Sequence, residues 1–263
     1  MDHIVSLELQ HNAGDLAFGR DGFLYVSVGD GLCATRRPRL CGPDNINAQK
    51  LTVPHGKILR VTRHGRPPAS NPYADDRDAR RCTRPAGVRA GSGPCAEIFA
   101  RGLRNPFRIA RRPGTNRFFV NDVGLYHWEE IDRLAKRGNY GWNLREGNCR
   151  TGSATQCGPT HFDEPLLAYP HDGCNSITGG AFVPRSLRGD WPRRFLGDYL
   201  FADYICGEIF RLRRQPDGDY TRVPFLTRGS GTVHLDFGPF RRTRALYYID
   251  FTRGAVHRVT YRG

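Results

Sequence analysis

Two residues near the start of the chain, a histidine and an aspartate, are of types that act together in proton transfer. His11 opens the stretch HNAGDLAFGRDGFLYVSVGDGLC, and Asp30 stands near its end. An imidazole can take up a proton near neutral pH, and a carboxylate can orient that imidazole and stabilise its charge. The two residue types therefore raise the hypothesis that His11 and Asp30 belong to one active site.

The segment that joins the two residues is predicted to be a strand. Leu24, Val26 and Val28 recur at every second position after the turn GRDG, which is the pattern of a half-buried strand. The strand ends at the sequence GDG, so Asp30 would follow it directly.

The composition favours a folded all-β protein. Of 263 residues, 38% are hydrophobic and 11% aromatic, which is enough for a core, and 31 glycines and 18 prolines indicate many turns. Helical periodicity is hard to find along the chain, so we predict many short strands.

An internal repeat predicts how these strands are arranged. Four segments share a strand, a turn and a second strand: FLYVSV with GKILRV, RFFVNDV with WEEIDRL, YLFADY with GEIFRL, and ALYYID with GAVHRV. Each second strand has an aliphatic residue two positions before an arginine, at Ile58/Arg60, Ile131/Arg133, Ile209/Arg211 and Val256/Arg258. Such a unit cannot bury both faces alone, so we predict radial stacking of the units as propeller blades.

The repeat also predicts the boundaries of the blades within a single domain, 1–263. They lie at about 12–101, 102–143, 175–227 and 232–262, and residues 4–9 are interpreted as a strand left over from an earlier blade. The stretches 32–54, 66–95 and 143–173 are predicted loops on the propeller faces, where binding residues usually lie. An immunoglobulin-like sandwich is the alternative architecture.

The net charge of +14 comes almost entirely from arginine, since Lys50, Lys57 and Lys136 are the only lysines. The arginines are scattered among acidic and apolar residues instead of alternating with stacking aromatics, so we expect no nucleic-acid partner.

The eight cysteines fall in the sequence as near neighbours, and this predicts four disulfides: Cys33–Cys41, Cys82–Cys95, Cys149–Cys157 and Cys174–Cys206. Such bridges persist in an oxidising environment, so we expect a protein that works outside the cytoplasm. The N-terminal sequence MDHIVSLELQ has no signal-peptide pattern, and no stretch is long enough to span a bilayer.

Seven motifs occur in order along the chain and together resemble the soluble glucose/sorbosone dehydrogenase family: HNAGDLAFGRDGFLYVSVGDG, GKILRV, GLRNPFRIA, NDVGLYHWEEIDRL, GNYGWNLREG, CNSITGGAFV and GDYLFADYICGEIFRL. The resemblance implies a six-bladed propeller that oxidises an aldose sugar with pyrroloquinoline quinone (PQQ) and calcium. About four of those blades would be present in this chain.

The resemblance also implies roles for individual residues. His11 matches the general base that takes a proton from the sugar hydroxyl, and Asp30 matches the aspartate that orients and polarises it. Arg104 and Asn105, in GLRNPF, match a pair that contacts the quinone, whose carboxylates suit a planar guanidinium.

Two calcium positions are implied as well. The backbone carbonyls of Gly124 and Leu125 match ligands of a calcium ion beside the cofactor, and oxygen ligands suit this cation. Glu130 and Tyr140 match a second, structural calcium position. Trp142 is interpreted as a packing residue.

One departure from the family pattern concerns the cofactor. The family has a lysine that holds the quinone just before the G-x-I-F-R strand, and here Ile205 takes that position. The alternative function is therefore a carbohydrate- or protein-binding propeller without cofactor, as in proteins of the hedgehog-interacting type. We expect the chain to be an N-terminally truncated piece of a secreted or periplasmic enzyme, with a small sugar as substrate. The sequence does not identify the electron acceptor.

Overall fold

The structure is a computed structural model that describes residues 4, 10–12, 14–32, 45–82, 92–187, 191–227 and 231–261. Most of the strand expected at 4–9 and the predicted Cys33–Cys41 bridge lie outside these residues.

Four antiparallel sheets follow one another along the chain. The first contains β1 (Leu16–Phe18), β2 (Leu24–Val28), β3 (Lys57–Val61) and β4 (Ile98–Arg101). The second contains β5 (Pro106–Arg111), β6 (Phe118–Asp122), β7 (Trp128–Arg133) and β10 (Leu167–Pro170). The third contains β11 (Ile177–Phe182), β12 (Tyr199–Asp203), β13 (Glu208–Arg214) and β14 (Tyr220–Thr227). The fourth contains β15 (Thr232–Phe240), β16 (Thr243–Asp250) and β17 (Ala255–Val259).

The remaining regular structure is small. A hairpin of β8 (Arg145–Glu146) and β9 (Cys149–Arg150) lies between β7 and β10, and 3-10 turns occupy Ile46–Ala48 and Arg193–Phe195. Within the described ranges the chain forms no α-helix, so the predicted all-β class is confirmed. In the same part of the chain, no helix is long and apolar enough to cross a membrane.

The first strands of the four sheets pack against one another. β5 contacts β1 and β11, and β11 contacts β15, as expected for blades arranged around an axis. Aromatic side chains fill the space between neighbouring sheets: the ring of Phe119 lies 5.1 Å from those of Phe182 and Tyr199. Burial of one such side chain contributes about 1.5–3 kcal/mol, so these contacts fix each blade against the next.

Strand β2 is buried more fully than its sequence pattern predicts. Tyr25, Ser27 and Val28 are all buried, on both faces of the strand. The ring of Tyr25 contacts Phe118 of the second sheet at 4.5 Å, because the neighbouring blade covers the face expected to meet solvent. The half-buried interpretation of this strand was therefore wrong.

The second sheet also differs from the sequence prediction. Leu167–Pro170 forms its outer strand, with Leu167 opposite Ile131, whereas the whole stretch 143–173 was expected to be loop. The strand is short and ends in proline, so no repeat pattern marks it in the sequence.

Three of the predicted disulfides are present: Cys82–Cys95, Cys149–Cys157 and Cys174–Cys206. Their Cα atoms are 5.1, 3.8 and 4.8 Å apart, so the second pair lies closer than the usual range of about 4.4–6.8 Å. Cys174 precedes β11 and Cys206 follows β12, and these antiparallel neighbours bring both to one end of the third sheet, as expected.

Candidate active site

The predicted site residues gather at one end of the sheets. In an antiparallel sheet, the start of one strand lies beside the end of the next. His11 precedes β1 and Asp30 follows β2, while Arg104 and Asn105 precede β5 and Asp122 ends β6. The Asp30 backbone N–H donates to the Arg104 carbonyl at 2.8 Å, which joins the two blades at this end.

His11 and Asp30 are in direct contact. The Nδ1 atom of His11 lies 2.8 Å from Oδ1 of Asp30, and their side chains are 8% and 2% exposed. An ionised carboxylate can only accept, so in the neutral imidazole Nδ1 carries the proton and Nε2 has the lone pair. Gly29 permits this approach, because a Cβ there would lie 2.5 Å from the His11 carbonyl oxygen.

Asp30 accepts three further hydrogen bonds. Asn45 Nδ2 and Trp142 Nε1 donate to Oδ2 at 2.9 and 2.8 Å, and the backbone N–H of Leu32 donates to Oδ1 at 2.9 Å. The structure thus gives Trp142 a polar contact in the site, where the sequence had indicated packing.

These contacts determine the ionisation of Asp30. Burial alone would raise the pKa of this carboxyl group. The hydrogen bond and charge of His11, the Leu32 N–H and the Arg104 guanidinium outweigh burial, so the pKa lies below its ordinary value. Asp30 is therefore an anion at neutral pH.

Arg104 connects this pair to the next blade. Its guanidinium lies 5.6 Å from the ring of Trp142, and its Nη1 donates to the carbonyls of Val123, at 2.8 Å, and Gly124. Its Nε is buried and makes no hydrogen bond with the described residues, so this atom has capacity for an anionic ligand. Asn105 follows Arg104 in the chain, and its backbone N–H donates to Asp122 Oδ1 at 2.6 Å.

The turn after β6 is held by a carboxylate that the sequence analysis missed. Oε1 of buried Glu146 accepts from the backbone N–H groups of Leu125, at 2.6 Å, Tyr126, His127 and Trp128. A Cβ at position 124 would lie 1.7 Å from the Trp128 carbonyl oxygen, so the turn requires glycine there. The Gly124 carbonyl accepts from the Arg104 guanidinium, so a calcium ion bound here would replace that cation as the partner of this oxygen.

The second predicted calcium position lies in a buried acidic region. Burial raises the pKa of Glu130 and of Asp132 well above their ordinary values, and the charges of Asp132 and Asp122 raise the pKa of Glu130 further. Both carboxylate oxygens of Asp132 are buried and unpaired within the described chain, which fits a cation. The Tyr140 hydroxyl already donates to the Arg133 carbonyl and accepts from the Ala135 N–H, so Tyr140 can offer only its backbone carbonyl.

Ile205 lies at the same end of the propeller, just after β12. Its side chain is 49% exposed and its backbone N–H donates to Asp203 at 2.9 Å. An apolar side chain therefore faces solvent where the family pattern has a lysine.

Comparison with known proteins gives a consistent family. The family profile described as Glucose / Sorbosone dehydrogenase matches residues 5–205. The HIPL1 protein of Arabidopsis thaliana is 30% identical over 223 residues, 73% of this chain and 28% of that protein. The aldose sugar dehydrogenase YliI of Escherichia coli (strain K12) is 31% identical over 134 residues, 51% of this chain and 29% of that protein. The chain thus spans less than a third of each of these relatives.

A solved structure extends the similarity to the fold. The PQQ-bound aldose sugar dehydrogenase of Streptomyces coelicolor has a TM-score of 0.62 and 20% identity, covering 95% of this chain and 61% of that chain. The four sheets of this chain are therefore blades of a propeller fold that it shares with that dehydrogenase. The profile match covers most of the sequence, and the chain belongs to the glucose/sorbosone dehydrogenase family.

Proposed function

We propose that this chain carries the active site of a sugar dehydrogenase that oxidises an aldose with PQQ and calcium. The observation that carries the proposal is the buried His11–Asp30 pair beside the Arg104–Asn105 pair of the next blade. When bound, the quinone would accept the hydride from the sugar carbon.

His11 removes the hydroxyl proton of the sugar in this proposal. Its Nε2 atom is the free acceptor because Nδ1 is held by Asp30, and the anionic carboxylate stabilises the imidazolium that forms. A base placed in this way contributes roughly 10²- to 10⁴-fold in rate.

In this proposal, residues near His11 bind the quinone and the calcium ions. Arg104 would pair with a carboxylate of the quinone through its unused Nε, and Asn105 would add a neutral donor. The Gly124 and Leu125 carbonyls would hold calcium beside the cofactor. Glu130 would hold the second ion together with Asp132 and the Tyr140 carbonyl.

The experiment is a titration of the chain with PQQ in the presence and absence of calcium, followed by absorbance, and then an assay of sugar-dependent dye reduction. We expect calcium-dependent uptake of PQQ and a reduction that His11→Ala abolishes. PQQ uptake that Arg104→Ala leaves unchanged, or sugar oxidation that survives His11→Ala, would refute the assignment.

A cofactor-free binding function is the second candidate, and exposed Ile205 is the observation that favours it. The variant Ile205→Lys separates the two candidates because it restores a cation at this position. If the site is built for PQQ, this variant binds it more tightly than the parent chain. If neither chain takes up PQQ, the binding function stands.

We also propose that the protein works in the periplasm or outside the cell. The three described disulfides support this location, because the cytoplasm keeps such thiols reduced.

A further inference from the structure

The second oxygen of the Asp30 carboxylate has its own pair of donors. Asn45 Nδ2 and Trp142 Nε1 both point at Oδ2, while His11 Nδ1 and the Leu32 N–H occupy Oδ1. Both donor side chains are buried. A carboxylate with both oxygens engaged cannot rotate without breaking several hydrogen bonds in a region shielded from water.

We propose that Asn45 and Trp142 are positioning residues, which hold Asp30 so that Oδ1 faces His11 Nδ1 and the Nε2 atom is kept as the proton acceptor. This inference rests on the proposed function for its catalytic meaning. The inference also predicts the tautomer of His11, with its proton on Nδ1, and this tautomer can be measured in the chain without cofactor or sugar.

The two donors come from separate segments that are tied to each other. Gln49 Nε2 donates to the Trp142 carbonyl at 2.6 Å and to Asn139 Oδ1 at 3.0 Å, and Asn139 Nδ2 returns a bond to Gln49 Oε1 at 3.0 Å. Gln49 directly follows the 3-10 turn that begins after Asn45. The amide pair therefore couples the position of one donor to that of the other.

A buried lysine holds the 3-10 turn in place. The ammonium group of Lys57 donates to the carbonyls of Asn47 and Ala48, both at 2.8 Å, and of His55 at 2.6 Å. Because β3 carries Lys57 and β2 leads to Asp30, the same sheet supports the carboxylate and one of its donors.

Two further charged groups near the pair, Arg104 and Asp122, are on the second blade. The Arg104 guanidinium lies over Trp142, and the Asp122 carboxyl group accepts the Arg104 N–H at 2.9 Å. Neither of these groups donates to Oδ2 in the described structure, so they do not replace Asn45 or Trp142.

The test is the tautomer of neutral His11, measured from the ¹⁵N chemical shifts of its ring in the cofactor-free chain. We expect the wild-type ring to carry its proton on Nδ1. In Trp142→Phe and in Asn45→Ala, the ring should become a mixture of tautomers, and Trp191→Phe is the control because this buried tryptophan lies in another cluster. A ring that keeps its single tautomer in both variants, or a wild-type ring protonated on Nε2, would overturn the inference.

Gln49→Met provides a variant that leaves every ligand of Asp30 in place. It removes the bonds to the Trp142 carbonyl and to Asn139, so we expect a smaller shift toward the mixed tautomer. This result keeps the inference testable if Trp142→Phe fails to fold. An unchanged ring in folded Gln49→Met, together with an unchanged ring in Asn45→Ala, contradicts it.

Kinetics then separate this inference from the proposed function. Each single variant should lower kcat by about tenfold with little change in KM, since a hydrogen bond to a charged group is lost. In the Asp30→Asn background, the same substitutions should have almost no further effect. A tautomer change in a chain that oxidises no sugar leaves the positioning role intact and refutes only the oxidation.

Discussion

Asp30 and Asp122 occupy equivalent places in neighbouring blades, yet their ionisation differs. Each follows or ends the second strand of its sheet, and each is buried. The pKa of Asp30 lies below its ordinary value, whereas burial raises the pKa of Asp122 to about 7. Both carboxyl groups are buried, so the difference between their pKa values must come from the groups that each one contacts.

Those groups are different in kind. Asp122 accepts the backbone N–H groups of Arg104 and Asn105, which link β6 to the start of β5. Asp30 accepts from side chains as well, including His11, and its negative charge further disfavours ionisation of Asp122. A carboxylate at this repeated position is therefore anionic where a blade adds side-chain donors and a histidine.

The largest expected effect on activity comes from replacing the anionic carboxylate of this pair, that of Asp30. Asp30→Asn should lower the proposed sugar oxidation by about 10³- to 10⁴-fold, because an amide does not stabilise the imidazolium of His11 and can favour the wrong tautomer. Asp250→Asn, at the equivalent place in the fourth sheet, is the matched control and should leave the rate unchanged. A loss of less than tenfold in Asp30→Asn would remove Asp30 from the proton transfer.

The next effect concerns stability and the third blade. Asp203 ends β12 and accepts the Tyr169 hydroxyl at 2.8 Å and the N–H groups of Ser176, Ile205 and Cys206. Asp203→Ala leaves these donors unpaired, so the free energy of unfolding should fall by about 2–4 kcal/mol in urea denaturation.

Asp172→Ala is the comparison for Asp203. It breaks an exposed ion pair with Arg222, and such pairs contribute about 0–1 kcal/mol. If both variants lose the same stability, the aspartate at the end of β12 is not the structural anchor that its contacts indicate.

The repeat in the sequence predicted which strand carries each aliphatic residue better than it predicted whether that residue is buried. The repeat placed Ile58, Ile131 and Ile209 in the second strand of each predicted unit, which the structure shows to be the third strand of its sheet, and all three are fully buried. Val256 has the same place in the fourth sheet and is 70% exposed, because no described sheet covers it. A pattern within one blade carries no information about whether a neighbour is present.

The site shows the same division. His11, Asp30 and Arg104 were predicted as site residues because they stand in motifs of local sequence. Asn45 and Trp142 were not, because no motif links them to Asp30, from which they lie 15 and 112 residues away along the chain. The contact of Trp142 becomes visible only when the packing of two blades is known.

A smaller effect should appear in the pH dependence of stability. The raised pKa of Asp122 means that its contribution to stability is fully present below its unfolded value near 3.8 and is lost as pH rises through about 7. Wild type should therefore lose stability relative to Asp122→Asn between pH 5 and 7, by at most about 1.4 kcal/mol per pH unit.

The comparison with Asp122→Asn is needed because His171 titrates with the same sign. Its hydrogen bond to Glu129, at 2.8 Å, raises the pKa of the imidazole, so that contribution is also lost as pH rises. Both proteins keep His171, and subtraction removes it. A difference between the two proteins that is constant over this range would show that Asp122 is ionised throughout, like Asp30.

The smallest effect is expected for the fourth member of the series. Asp250 ends β16 and accepts the backbone N–H of Arg253 at 3.1 Å and its Nη1 at 2.9 Å. The Arg253 side chain is largely exposed, so water replaces its lost bond in Asp250→Asn, unlike the buried partners of Asp203. The urea midpoint of Asp250→Asn should therefore lie closer to wild type than that of Asp203→Ala. Equal midpoints would mean that the end of the second strand has one energetic role in every blade, and that burial by a neighbouring sheet does not set it.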